Sequence, residues 1–223
     1  MIHASIMKLC DLKKDAHVLD VGSGIGRVAR PMANFLNSQG SYEGFDIVKE
    51  GISWCTKAYK DYANFRFQYI PLLNDLYNLS APNNASTFRF PYPSERFDLV
   101  VLTSVFTHMQ QAEVQQYLKE IGRVLKKGAY CYCTFFIITG ESDNFLKQST
   151  EPFFKYRFQN YFLHDQRVKD ANIAYKYEII EEMLSVSGLE IKSFHPGWWA
   201  GLNKEECENF QDVLIITTQN HLK

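Results

Sequence analysis

The chain has 223 residues, 46% of them hydrophobic, which is enough for one substantial core and too few for two ordinary domains. With 24 Lys and Arg against 25 Asp and Glu, the formal net charge of -1 gives no global field to attract a phosphate backbone, so no nucleic-acid partner is expected. Cys10, Cys55, Cys131, Cys133 and Cys207 are odd in number and form no C-x-x-C pair, which fits neither a disulfide framework nor a zinc cluster. The N-terminus shows no basic region followed by an apolar block and cleavage site, and no apolar run approaches the roughly 18 residues of a membrane span. A cytoplasmic protein with no membrane partner is expected; oligomeric state is not legible.

In chain order, residues 17–21 ("HVLDV") and 41–48 ("SYEGFDIV") read as short strands. Between them, 27–40 is helical, with Val28, Met32, Phe35 and Leu36 on one face and Gly40 as the stop, which makes a βαβ unit. A second helix is predicted over 51–63 and a third strand over 65–70. Residues 96–104 form a continuous apolar run of the kind buried on both faces of a parallel sheet. A helix over 111–128, closed by Gly128, precedes a fifth strand over 129–138, on which Cys131 and Cys133 share a face. Residues 139–172 read as irregular and rich in aromatics, and so long a connection is rarely idle. A helix over 176–188, a strand over 189–195, a loop containing "PGWWAG" and a last strand over 210–219 complete the chain. The final pair predicts an antiparallel hairpin at the sheet edge. Alternating strands and helices predict an α/β, doubly wound fold.

The first crossover turn, "DVGSGIG", carries glycines at 22, 24 and 26 with Asp20 two positions ahead of the first. A pyrophosphate turn spaces its glycines G-x-G-x-x-G, so the third comes too soon here, and a carboxylate on the turn would repel a diphosphate. An ammonium and a carboxylate on an amino-acid moiety joined to a nucleoside suit the turn better, with loop N–H groups taking one end and acidic residues the other. Asp46, at the end of the second strand, is placed to accept hydrogen bonds from both ribose hydroxyls.

This combination resembles the class I S-adenosylmethionine-dependent methyltransferases of small-molecule type. The resemblance runs from Asp20-Val21-Gly22-Ser23-Gly24-Ile25-Gly26 through Asp46, "FDLVVLTSVFTHM", "RVLKKGAYCYCTFF" and the terminal hairpin. It implies S-adenosyl-L-methionine as cofactor and a Rossmann-like seven-stranded sheet in the order 3-2-1-4-5-7-6, strand seven antiparallel. The whole of 1–223 is then one methyltransferase domain, with 139–172 as a substrate-covering insertion, since little chain precedes the first strand to form a lid. The cofactor-binding set is Asp20, Gly22, Ser23, Gly24, Gly26, Arg27, Asp46, Ile47, Leu72, Thr103 and Ser104. Where the family often has an acidic residue to meet the adenine amine, Pro71 and Leu72 stand, so backbone near Leu72, packing by Ile47, or a displaced Asn74 or Asp75 must serve.

At the end of the fourth strand there is no Asn/Asp-Pro-Pro-aromatic run of the kind that grips planar amino nitrogens. Nor does an acidic residue stand there to hold a magnesium ion, so no metal is expected. Thr107-His108 replaces a Glu-His pair. His108 is the candidate general base or substrate orienter, with capping or packing at a helix start as the plainer role. His164 and His195 are weaker candidates. Phe106, Trp198 and Trp199 are candidate substrate contacts, the tryptophans by stacking on a sugar or aromatic acceptor, against the plainer role of covering a sheet edge. A small-molecule hydroxyl, on a saccharide or secondary metabolite, is the expected acceptor. An NAD(P)-dependent oxidoreductase and a cofactor-binding protein without turnover are the competing readings.

Overall fold

The structure is a computed structural model that describes residues 2–219. Its main sheet has seven strands. Beside β1 (His17–Val21) lie β2 (Ser41–Asp46) and then β3 (Phe65–Tyr69) on one side; on the other lie β4 (Phe97–Leu102), β5 (Leu125–Phe135), β11 (Asp212–Thr218) and β10 (Leu189–His195). Strands β1 to β5 pair in parallel, and β11 runs antiparallel to both β5 and β10. In sheet-strand numbering this is 3-2-1-4-5-7-6 with the seventh reversed, as the resemblance implies.

The apolar runs of the central strands follow from two-sided burial. Leu19, Val21, Val100 and Leu102 enter one core with Val114, Leu118 and Ile121 of α4 (Gln111–Val124); their neighbours Val18, Leu99 and Val101 enter the other with Met32 of α2 (Ala29–Phe35) and Cys55 of α3 (Lys49–Ala58). Successive strand residues point to opposite faces, so a strand with helices on both sides must be apolar throughout. Cys131 and Cys133 do share a face, both in the first of these cores, and all five cysteines are free. The second core is closed by α1 (Ile2–Cys10), a helix not foreseen, through Ile6 and Cys10.

Several predicted helix ends move, α3 stopping at Ala58 instead of 63 and the helix predicted over 176–188 at Ser185. α2 stops at Phe35 because Leu36 is extended and the Asn37 N–H turns to the Lys14 carbonyl at 2.8 Å. Gly40 instead permits close approach: a Cβ there would lie 2.9 Å from the Ala16 and Lys14 carbonyl oxygens. α4 stops at Val124, Leu125 already being extended, so Gly128 is no helix stop. With φ 73 it lies inside β5, where the pairing with β4 jumps from Leu125 to Tyr130.

Residues 139–172 are more regular than expected. Thr139 caps α5 (Gly140–Gln148), and β6 (Ile137–Ile138), β7 (Tyr156–Arg157), β8 (Tyr161–Leu163) and β9 (Ile173–Lys176) form a second sheet in the order β6-β9-β8-β7. Its aromatics divide: Phe154 and Phe162 build a third core with Phe136, Leu146 and Trp199, whereas Phe145, Tyr156 and Phe158 are exposed. α6 (Tyr177–Ser185) then leads into β10. Among the described residues no helix is long and apolar enough to cross a membrane.

Candidate active site

The site is built where β1, β2 and β4 end. After Val21 the chain turns through Gly22 and Gly24, both at positive φ (74 and 53). A Cβ on Gly22 would come within 2.4 Å of Val105 Cγ2, whereas one on Gly24 would meet nothing within 4 Å and would project into open space above the turn. Glycine is therefore required at the first by packing and conformation, and at the second by conformation. Most amides of the turn are spoken for, contrary to the expectation that they await a ligand. Gly22 and Ser23 donate to the Phe45 carbonyl (2.9 and 3.0 Å), Gly26 to Ser23 (2.9 Å) and Gly24 to Asp46 Oδ2 (2.7 Å). Parallel pairing of β1 with β2 brings Phe45 there.

Above the turn lies a pocket of about 410 Å³. Of the residues singled out in the sequence, Gly22, Gly24, Arg27, Asp46, Ile47, Leu72, Thr103, Ser104 and His108 line it. Asp20, Ser23, Gly26, Phe106, Trp198 and Trp199 do not. Asp20 lies buried beneath the turn, accepting from the Tyr42 hydroxyl, and its Oδ1 and the Ser23 hydroxyl have no partner among the described residues. Gly26 faces Cys55 and Tyr59. Phe106 is fully buried and stacked on Phe135 at 4.6 Å. Trp199 donates from Nε1 to Asp212 Oδ2 at 2.8 Å inside the third core, and Trp198 packs on Phe210 with Lys204 over its ring. His164 is bound to the Phe153 carbonyl at 2.7 Å and His195 to Ser193 at 2.9 Å, both away from the pocket.

Burial pushes the Asp20 carboxyl up from 3.8 to about 7, with Tyr42 opposing and Asp46 adding to the shift. The folded chain then holds this proton across a range where the unfolded chain has lost it, so stability is greatest below the unfolded value and falls as pH rises through about 7. Denaturant unfolding at about pH 5 and about pH 8 is expected to show the wild type losing about 2 kcal/mol more than Asp20→Asn between the two.

Asp46 holds the turn and the start of α3 together, Oδ1 accepting from Val48 N–H and Oδ2 from Gly24 N–H, each at 2.7 Å. Each oxygen keeps a lone pair for a ligand hydroxyl. Asp46→Ala is expected to weaken cofactor binding by about 1 to 3 kcal/mol, measured calorimetrically with S-adenosylhomocysteine.

His108 sits in a single 3₁₀ turn, Phe106–His108, after β4. Its Nδ1 lies 2.8 Å from the Asp170 carbonyl oxygen. A carbonyl only accepts, so Nδ1 carries the proton of the neutral ring and Nε2 keeps its lone pair. The Tyr77 ring meets His108 edge-on at 5.4 Å, and Asn74 Nδ2 donates to the His108 carbonyl at 3.0 Å. Thr107, in place of a glutamate, is buried, its hydroxyl without a partner among the described residues. The backbone of Asp170 orients the imidazole instead.

The pocket also takes in Ile25, Leu73, Tyr77, Glu113 and Tyr117, which the sequence did not single out. Tyr77 lies in 71–95, where no periodic pattern gave an element to place it on. Glu113 accepts from Gln110 N–H at 2.8 Å, and its spacing from Gln110 signals only a helix start. Among the described residues no group of three or more His, Cys, Asp or Glu could hold a metal ion.

An open α/β sheet with its pocket at the carboxyl ends of the strands, a glycine turn after β1 and a carboxylate ending β2 define a nucleoside-cofactor site of the Rossmann-like class. The profile of a family described as "Methyltransferase domain" matches residues 19–133, more than half of the chain. The chain belongs to this family, and its cofactor is S-adenosylmethionine. An S-adenosylmethionine-dependent methyltransferase of Methanosarcina mazei is 21% identical, with 93% of this chain and 94% of that one covered at a TM-score of 0.58. A protein of Pyrococcus horikoshii OT3 is 15% identical, with 98% and 88% covered at 0.62. The 1,6-didemethyltoxoflavin-N1-methyltransferase of Burkholderia thailandensis, bound to its substrate and S-adenosylhomocysteine, is 13% identical, with 97% and 76% covered at 0.64.

The residues present fit that cofactor. Asp46 offers lone pairs to a ribose, Arg27 is the one lysine or arginine among the described residues that lines the pocket and would meet a carboxylate, Ile47 and Leu72 offer apolar surface, and the space over Gly24 is free.

Proposed function

We propose that the chain transfers the methyl group of S-adenosylmethionine to a hydroxyl of a small-molecule acceptor, a saccharide or secondary metabolite. The bound cofactor supplies an electrophilic methyl group on a sulfonium. Methyl transfer is an in-line displacement, so the protein has to align the acceptor, exclude water and receive a proton. The observation that carries the reading is His108: it lines the cofactor pocket, its Nδ1 is held by a backbone carbonyl, and its Nε2 is left as a proton acceptor.

Among acceptors, the pocket's exposed rim favours a secondary metabolite with apolar or aromatic surface. Ile25, Leu73 and Tyr77 line the pocket and remain 64%, 41% and 53% exposed, whereas neither Trp198 nor Trp199 lines it to offer a platform for a sugar. The insertion 139–172 acts as the cover of the site. Supporting this, the Lys169 and Asp170 amides donate to Asp75 (3.0 Å each) and the Asp75 amide donates back to Asp170, which ties the insertion's end to the loop carrying Tyr77. The reading places the enzyme in the cytoplasm, acting without nucleic acid or membrane.

A methyl-transfer assay with labelled cofactor, run against phenols, aliphatic alcohols, saccharides, amines and carboxylic acids, tests it. Methylation at a hydroxyl of the apolar members is the expected result. Methylation at nitrogen alone, or tight S-adenosylhomocysteine binding with no transfer to any of them, overturns it.

A further inference from the structure

Leu72, Leu73, Asn74 and Tyr77 of the loop after β3 line the pocket, and none of them offers a carboxylate to the adenine amine. Asn74 Oδ1 takes the Leu76 and Tyr77 amides (3.1 and 3.0 Å), and its Nδ2 is given to His108. Asp75 holds the Lys169 and Asp170 amides with its two oxygens. The carboxylates lining the pocket are Asp46, Glu50 and Glu113. Asp46 is at the ribose position, and Glu50 is exposed on the first turn of α3.

Glu113 projects from the first turn of α4. Its Oε2 accepts from Gln110 N–H, and Oε1 has no partner among the described residues. Rings connect this end of the pocket to the ribose end: Phe45, next to Asp46, meets Phe90 at 5.1 Å, and Phe90 meets Tyr117, one turn beyond Glu113, at 5.0 Å. Asp46 and Glu113 both line one pocket, whose apolar slot is made by Ile47, Leu72 and Ala85. A purine has apolar faces and a polar edge, and this slot matches both.

We propose that Glu113 accepts the hydrogen bond of the adenine exocyclic amine, so that α4 supplies from the other side what the loop after β3 lacks. Burial pushes its carboxyl up to about 7, with Asp170 and Asp75 nearby adding to the shift, and an oxygen is available to accept in either protonation state. The assignment rests on S-adenosylmethionine being the cofactor and is independent of the acceptor.

Calorimetric dissociation constants for S-adenosylhomocysteine and S-inosylhomocysteine, in which a carbonyl replaces the amine, test it. The wild type is expected to prefer the adenosyl compound by about tenfold or more. In Glu113→Gln the Gln110 N–H retains the amide oxygen and turns the NH₂ toward the slot, so the preference falls about tenfold or reverses. Glu113→Leu also loses it. A preference unchanged in Glu113→Gln with an ordinary melting curve, or a wild-type ratio near one, overturns the proposal. Absence of S-adenosylhomocysteine binding by the wild type overturns it together with the cofactor assignment beneath it.

Discussion

His108→Ala is expected to lower turnover by about 10² or more while S-adenosylhomocysteine binds nearly as before, because a positioned general base contributes on that scale. In the side chain, Nδ1 donates to the Asp170 carbonyl and the ring meets Tyr77 edge-on. Its own backbone carbonyl, held by Asn74, survives the substitution. The lost hydrogen bond would lower stability by about 1 kcal/mol, far short of unfolding the chain. Turnover, cofactor affinity and melting temperature measured on one preparation separate the roles. A fall in turnover alone marks the base, whereas parallel losses of stability and activity would make His108 a structural residue and remove the main support for hydroxyl methylation.

What could be read in the sequence was local. Asp20, the three glycines and Asp46 lie within one βαβ unit, where strand and helix periods set the spacing, and the sheet order followed from a family resemblance carried by the same residues. Long-range pairing was hidden. β6 and β9 are two and four residues long and pair across Ile137 and Tyr175, so the stretch between them showed no period and read as irregular. Trp199 read as a stacking platform because nothing local reveals that Asp212, thirteen positions on, accepts from its indole. The Gly22 and Ser23 amides read as free because their partner, the Phe45 carbonyl, arrives only with the register of β2. Glu113 was hidden differently: its capping role accounts fully for the residue type, and the second role proposed for it depends on α4 and the loop after β3 lining the same pocket.

Asp212→Ala carries the largest expected loss of stability, about 3 to 5 kcal/mol, which for a chain of this size is a fall in melting temperature of roughly 10 °C. Asp212 begins β11 and is buried, its Oδ1 accepting from Gly197 N–H at 2.8 Å and its Oδ2 from Ile137 N–H at 2.6 Å and Trp199 Nε1–H at 2.8 Å. Alanine would leave three donors with no acceptor in a core closed by Phe136, Phe154 and Trp199. Asp212→Asn retains one oxygen but turns an NH₂ toward these donors, so an intermediate loss is expected. Ile137 opens β6, the strand that roots the second sheet, and the segment leading into β9 carries Asp170, whose carbonyl orients His108. Loosening the root therefore frees the imidazole at a distance, and turnover per folded molecule in Asp212→Asn should fall more than cofactor affinity does. A variant that melts early yet turns over normally would uncouple the insertion from the site and contradict the covering role proposed for it.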